Sequence, residues 1–351
     1  MPFQGLTTTH IVKNANALTL AQLPDKAVRL VVTSPPYPMI PMWDKVFSER
    51  NYQVEKALSA GEGLSAFELM HVELDKVWNE VYRVLDDGGF ACINIGDAVR
   101  TVNGCFRLYA NHARLLSACV SIGFDVLPTI LWRKPTNAPN KFMGSGMLPA
   151  GAYVTLEHEY ILVLRKGSKR VFRTVEERNR RRMSAVFWEE RNKWYSDVWT
   201  IPATRQVLLD TGMVRRSAAF PLELAYRLVC MYSVVGDTVL DPFLGTGTTS
   251  LACAAAGRHS LGVECDREFA EFALKRIAEV ASPAQERARR RLEEHEAFLT
   301  EYRLKGKVPG YWNRPHGTKV VTGQETDLTV LCVDSIRKTE DGQAAVHRQA
   351  L

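Results

Sequence analysis

The chain has 351 residues, 46% of them apolar and 24% charged, enough for one large α/β domain plus a smaller module. No apolar stretch can span a bilayer and nothing at the N-terminus reads as a signal peptide, so a membrane or secreted protein is excluded. Seven scattered cysteines without a Cys-x-x-Cys pair exclude a disulfide framework and a zinc site and point to a reducing cytoplasm.

The net charge of +6 is unevenly spread. Arg165 to Arg216 holds 14 Lys/Arg against 6 Asp/Glu, so the remainder is slightly acidic. A localised basic segment is the footprint of a polyanion binder. Trp188, Trp194, Tyr195 and Trp199 are interleaved with it, which favours nucleic acid. Arg170, Arg173, Arg180, Arg181, Arg182 and Lys193 are the candidate nucleic-acid contacts.

In chain order, His10-Ile11-Val12 is a short strand. Val28 to Thr33 is an apolar run of the buried parallel kind. It stops at Ser34-Pro35-Pro36-Tyr37, where two prolines fix φ and remove two donors. Met39 to Gly63 shows no period and reads as a mobile loop over the site, with Trp43 inside it. Ser65 to Leu85 is the clearest helix, with Phe67, Met70, Leu74, Val77, Trp78, Val81 and Leu85 at helical spacing and Ser65/Glu68 as a capping box. Phe90 to Ile95 is a strand, and His112 to Cys119 a helix closed by Gly123.

Val126 to Trp132 is an edge or bulged strand containing Pro128. Glu159 to Arg165 is a buried strand. The stretch 140–214 breaks the α/β rhythm and reads as an inserted module, split by that one core strand. Leu222 to Met231 is a helix, and Thr238 to Asp241 a strand. Pro242 to Thr249 forms a glycine turn into a helix through Ala256. Ser260 to Glu264 is a strand and Arg267 to Val280 a helix. Gln285 to Tyr302 is a charged helix, followed by a polar tail. The implied division is 1–139, 140–214, 215–280 and 281–351.

Two sites carry chemistry. Ser34-Pro35-Pro36-Tyr37 holds a hydroxyl, a carbonyl and a ring at the carboxyl end of a strand, the ligand edge of an open α/β sheet. A flat heterocycle with an exocyclic amine suits that set, its ring stacking and its NH2 donating to the oxygens. In Asp241-Pro242-Phe243-Leu244-Gly245-Thr246-Gly247-Thr248, the third glycine of a dinucleotide fingerprint is missing, and Asp241 would repel a pyrophosphate. Glu264 ends the next strand, where a ribose hydroxyl is held. A nucleoside cofactor with an ammonium group and no phosphate fits: S-adenosyl-L-methionine.

Taken together, the chain resembles a β-class DNA amino-methyltransferase. Thr33 to Tyr37 is similar to the family's catalytic motif and Asp241 to Thr248 to its cofactor loop. Phe220 to Leu228 resembles the helix before that loop. Gly88 to Phe90, Asn94 to Asp97 and Leu131 to Pro135 are similar to further family blocks. The likeness implies a Rossmann-like α/β methyltransferase fold with a mostly parallel sheet, permuted motif order and a small target-recognition insertion.

The resemblance further implies site-specific methylation of duplex DNA on a flipped base, as the modification half of a restriction-modification system. Ser34 and the Pro35 carbonyl would accept from the amine, while Pro36 stiffens the turn and Tyr37 stacks on the base. Asp241 would hold the methionine ammonium or its water, and Phe243 and Phe220 would wall the cofactor. Gly245, Gly247 and Thr248 would form the loop, Glu264 would take the ribose with Asp266 assisting, and Asn16 stands where the family carries an adenine-contacting acid. Serine before Pro-Pro-Tyr favours N4 of cytosine, with N6 of adenine the alternative. An RNA methyltransferase and a nicotinamide oxidoreductase fit less well. No metal is called for, and a homodimer is left open.

Overall fold

Strands and helices alternate along the chain as its periodicity predicts, and the parallel strands among them pair into one sheet. In the computed structural model the described residues are 5–135, 143–203 and 220–350. The first half contains β1 (Leu6–Asn14), β2 (Val28–Thr33), α1 (Asp44–Arg50), α2 (Tyr52–Ser59), α3 (Gly63–Val84), β3 (Leu85–Ile95), β4 (Ala98–Val102), β5 (Cys105–Tyr109), α4 (Asn111–Ile122), β6 (Phe124–Val126) and β7 (Ile130–Arg133). Then come β8 (Met143–Gly144), β9 (Ala152–Tyr153), β10 (His158–Lys166), α5 (Val175–Met183), α6 (Trp188–Trp194) and β11 (Val198–Thr200). The last part holds α7 (Leu222–Tyr232), β12 (Thr238–Asp241), α8 (Thr248–Ala256), β13 (His259–Glu264), α9 (Arg267–Ala278), α10 (Ala281–Leu304), β14 (Tyr311–Asn313), β15 (Thr318–Val320), β16 (Leu331–Lys338) and β17 (Gly342–Gln349).

Among the described residues the central sheet runs β11-β7-β10-β3-β2-β12-β13-β1-β17-β16, with β6 also on β10. Its middle, β3-β2-β12-β13-β1, is parallel throughout. The carboxyl ends of β2, β12 and β13 therefore face one edge, which is where ligands bind in such sheets. Strand β10 runs antiparallel to β3, pairing Tyr160 with Ile95 and Arg165 with Phe90. One reversal decides which edge each later loop leaves from.

Helices cover both faces. On one, α3 buries Ala66, Phe67, Met70, Leu74, Val77, Trp78 and Val81 against Val31, Ala91 and Ile93. On the other, α7 and α8 pack on Leu30, Val32 and Val239. All nine residues of α8 are buried. Its small side chains let it lie between sheet and neighbouring helices at close range, where burial of apolar surface stabilises it by roughly 25 cal/mol per Å².

Three expectations change, and the polar tail, whose structure the sequence leaves undecided, forms strands. Helix α3 begins at Gly63 with no side-chain cap, which places Ser65 and Glu68 inside the helix rather than at its cap, and Glu68 accepts from Arg114 at 2.8 Å instead. Residues 39–63 are not an irregular loop: Pro41–Trp43 is a 3-10 turn followed by α1 and α2. Asn51 closes α1 and caps α2 by accepting from Gln53 N, and two helices of 7 and 8 residues are too short to show a period. Pro128 splits the expected Val126–Trp132 strand into β6 and β7, both on β10. The polar tail is ordered: β17 pairs antiparallel with β1 and β16 with β17, extending the sheet. Helix α10 is fastened by buried Arg291, which forms a bidentate ion pair with Glu190 at 2.5 and 2.7 Å.

Candidate active site

The catalytic turn leaves β2 at Thr33. Ser34 donates its hydroxyl to Tyr37 Oη at 3.0 Å, and Tyr37 donates in turn to Glu159 Oε2 at 2.9 Å. Asn94 Nδ2 reaches both Tyr37 Oη (2.8 Å) and Glu159 (2.6 Å). Lys134 closes the group with an ion pair to the other Glu159 oxygen. Burial, and then the Glu159 carboxylate, push the Tyr37 phenol well above its ordinary range. Gly96 makes room for the ring: a Cβ there would lie 3.0 Å from Tyr37 Cε2.

The turn is held from behind by buried Asn111, whose amide donates to the Pro38 and Gly96 carbonyls. It ends at Met39 with φ of 66°, left-handed backbone that a non-glycine residue adopts only when its surroundings enforce it.

The second loop leaves β12 at Asp241, which is 2% exposed. Its carboxylate accepts from Thr33 Oγ1 (2.6 Å), Thr249 Oγ1 (2.6 Å) and Phe243 N (3.1 Å), so it ties the end of β2 to the start of α8. Burial pushes its pKa up to about 6 against those hydrogen bonds. Glu264, at the end of β13, accepts from Gly245 N (2.7 Å) and Asp266 N (2.9 Å). Asp266 caps α9 by accepting from Glu268 N and Phe269 N. Gly247 has φ of 84°, and a Cβ there would lie 2.9 Å from the Ala273 Cβ. Gly245 has φ of 54° with nothing within 4 Å of where a Cβ would sit. Thr248 Oγ1 is buried without a protein partner.

Both loops line one cleft of about 130 Å³. Ser34, Pro35 and Pro36 form one side; Asp241, Phe243, Gly245, Thr248 and Glu264 form the other, with Phe220 also on the wall. Tyr37, Asn16, Gly247 and Asp266 are not among its lining residues. Asn16 accepts from Leu18 N as the cap of the turn that places Ala17 in the cleft. Trp43, which the sequence offers as a candidate pocket-lining ring, lines it as well, and so do Val46, Arg50, Cys265 and Phe269, which carry no motif signal. Trp43, Val46 and Arg50 come from the stretch whose short helices the sequence does not betray.

The six basic candidates are not brought to this cleft. Because β10 reverses direction, residues after Lys166 emerge at the amino edge of the sheet. Arg170 pairs there with Asp237 at 2.7 Å, just before β12, and Arg180 with Glu176. Arg170 and Arg180 line a polar cavity with Lys26 and Arg29, away from Ser34. Arg173, Arg181 and Arg182 are exposed on or beside α5. Lys193 lies on α6, ahead of the amino end of β11. The charge count finds the segment but not its place, since ion pairing and edge are tertiary properties. At the cleft's own edge the chain leaves the sheet after Arg133 of β7 and after Thr200 of β11. The remainder of the 140–214 candidate, 140–142 and 204–214, lies outside the described residues.

A family model described as DNA methylase matches residues 28–275, which include both loops. The chain belongs to the DNA methylase family. It is 48% identical over 340 residues to the Type II methyltransferase M.MthZI of Methanothermobacter thermautotrophicus, covering 96% of this chain and 94% of that one. It is 46% identical over 283 residues to M.MjaI of Methanocaldococcus jannaschii, covering 78% and 92%. Among solved structures, the putative DNA modification methylase TTHA0409 of Thermus thermophilus, complexed with S-adenosyl-L-methionine, aligns with a TM-score of 0.61 and 34% identity, over 78% of this chain and 94% of that one.

The methylase's cofactor is S-adenosyl-L-methionine, and the cleft fits it. Open space over Gly245 admits close approach, Phe220 and Phe243 supply apolar walls, and two carboxylates with the unpartnered Thr248 hydroxyl supply polar ends. Among the described residues no group of three or more His, Cys, Asp or Glu is arranged to hold a metal ion, and no helix is long and apolar enough to cross a membrane.

Proposed function

We propose that this methylase transfers a methyl group to the exocyclic N4 amine of a cytosine flipped out of duplex DNA. The observation that carries this reading is Ser34 on the wall of the cofactor cleft, its proton already committed to Tyr37. Bound S-adenosylmethionine supplies an electrophilic methyl group. The amine is a poor nucleophile because its lone pair is delocalised into the ring. Ser34 Oγ and the Pro35 carbonyl accept its two N–H bonds, which favours a pyramidal nitrogen with the lone pair free. Tyr37 packs against the base, and the rigid Pro35-Pro36 turn supplies orientation. A paired base cannot reach this depth, so it must leave the stack.

On the cofactor side, three of about four acceptor positions of Asp241 are filled from within, leaving one for the methionine ammonium or its ordered water. Glu264 keeps lone pairs for the ribose hydroxyls beside its two backbone bonds. The duplex would approach the carboxyl edge of the sheet, where Ser34 and the cofactor loop lie.

The test uses the full chain with labelled cofactor and duplex DNA, followed by mass spectrometry of the digested nucleosides. N4-methyldeoxycytidine is the expected product. N6-methyldeoxyadenosine would move the target to adenine, and label in RNA alone would overturn the substrate.

A further inference from the structure

A serine hydroxyl can donate or accept, so a serine facing an amine is useful only if its own proton points elsewhere. In this molecule that proton has a fixed destination. Ser34 donates to Tyr37 Oη, which also takes a bond from Asn94 Nδ2 and passes its own proton to Glu159. The chain ends there, because an ionised carboxylate has no proton to return. Lys134 holds one of its oxygens and Asn94 Nδ2 donates to the other. The Glu159 side chain is only 14% exposed, so water competes little for these bonds.

We propose that Glu159 is a positioning residue that sets the hydrogen-bond polarity of Ser34. By taking the Tyr37 proton it obliges Ser34 to donate inward, and both serine lone pairs then face the cleft. A neutral serine thereby behaves as an acceptor-only group, as an aspartate would at the same place. The inference rests on the reading in which Ser34 meets a substrate amine. Glu159 lies 122 residues from Tyr37 in sequence, and it comes beside the turn only because β10 pairs with β3.

The experiment is a double-mutant cycle on the full chain, read by single-turnover methyl transfer and by cofactor calorimetry. Glu159→Gln should slow transfer about 10- to 100-fold with cofactor affinity nearly unchanged, since its amide can donate to Tyr37 and reverse the chain. In a Ser34→Asp background two carboxylates compete for one tyrosine proton, so adding Glu159→Gln should raise the rate. An equal penalty in both backgrounds would overturn the proposal and leave Glu159 a packing residue.

A second readout needs no turnover. The 13C resonance of Tyr37 Cζ should move on Glu159→Gln as the phenol loses its carboxylate acceptor, and an unmoved resonance overturns the polarity chain. If the wild type methylates no amine, the substrate reading fails, and with it Ser34's part in the proposal. The Cζ shift still decides the chain.

Discussion

Asp241→Asn separates the structural from the binding work of the carboxylate at the end of β12. The unfolded side chain titrates near 3.8 and the buried one near 6. Between those values the native state holds a proton that the unfolded state has released. Stability from this group is therefore full below about pH 4 and falls as pH rises through about 6. Two pH units correspond to about 3 kcal/mol, with no discount for solvent because the group is buried. Asparagine removes the buried charge. Its amide nitrogen can donate to Thr249, whose hydroxyl can turn to the Val32 carbonyl 3.2 Å away.

The variant should therefore fold and be as stable as the parent at pH 8, or more so by up to about 3 kcal/mol. Urea unfolding of both proteins across pH 4.5 to 8 measures this. The difference between them isolates the site from the buried neutral histidines, which change stability in the opposite sense. Cofactor affinity should fall by about tenfold or more if Asp241 also meets the ammonium. A stability difference that stays constant across that pH range would refute the reasoning.

Other outcomes follow from the same geometry. Gly245→Ala should cost about 1–2 kcal/mol for its left-handed backbone and also weaken cofactor binding, because the methyl enters the cleft. Gly247→Ala should cost more stability, since its methyl meets Ala273 as well; thermal unfolding and calorimetry separate the two effects. Glu264→Ala should lower cofactor affinity by freeing the Gly245 amide, and unchanged affinity by calorimetry would count against its role. Burial lowers His10 to about 3 and His347 to about 4, so their contribution is full above about 6.5 and is lost as pH falls below it. Both contact Thr8 Oγ1 where β17 meets β1, so hydrogen exchange in β16 and β17 should quicken in mild acid before the centre of the sheet does. Arg291→Met should destabilise by about 3–5 kcal/mol in urea, because the buried Glu190 carboxylate loses its counter-charge.

What is local could be read from the residues alone. The apolar run 28–33, the stiff proline turn, the glycine loop and the acid at 264 fix backbone geometry and donor sets within a few residues, and the structure brings the two loops together on one cleft. The long amphipathic helix was legible because seven buried positions repeat at its period. The rest belongs to the assembled fold. The polar tail forms strands because β1 offers an unpaired edge, which no property of residues 331–349 reveals. Glu159, Asn94 and Arg50 reach the site through sheet pairing and through helices too short to show a period. The described basic residues from Arg170 to Lys193 lie at the far edge because β10 runs backwards. A single reversal of direction carries a loop across the length of a strand, and direction belongs to the pairing of distant segments rather than to the residues within one.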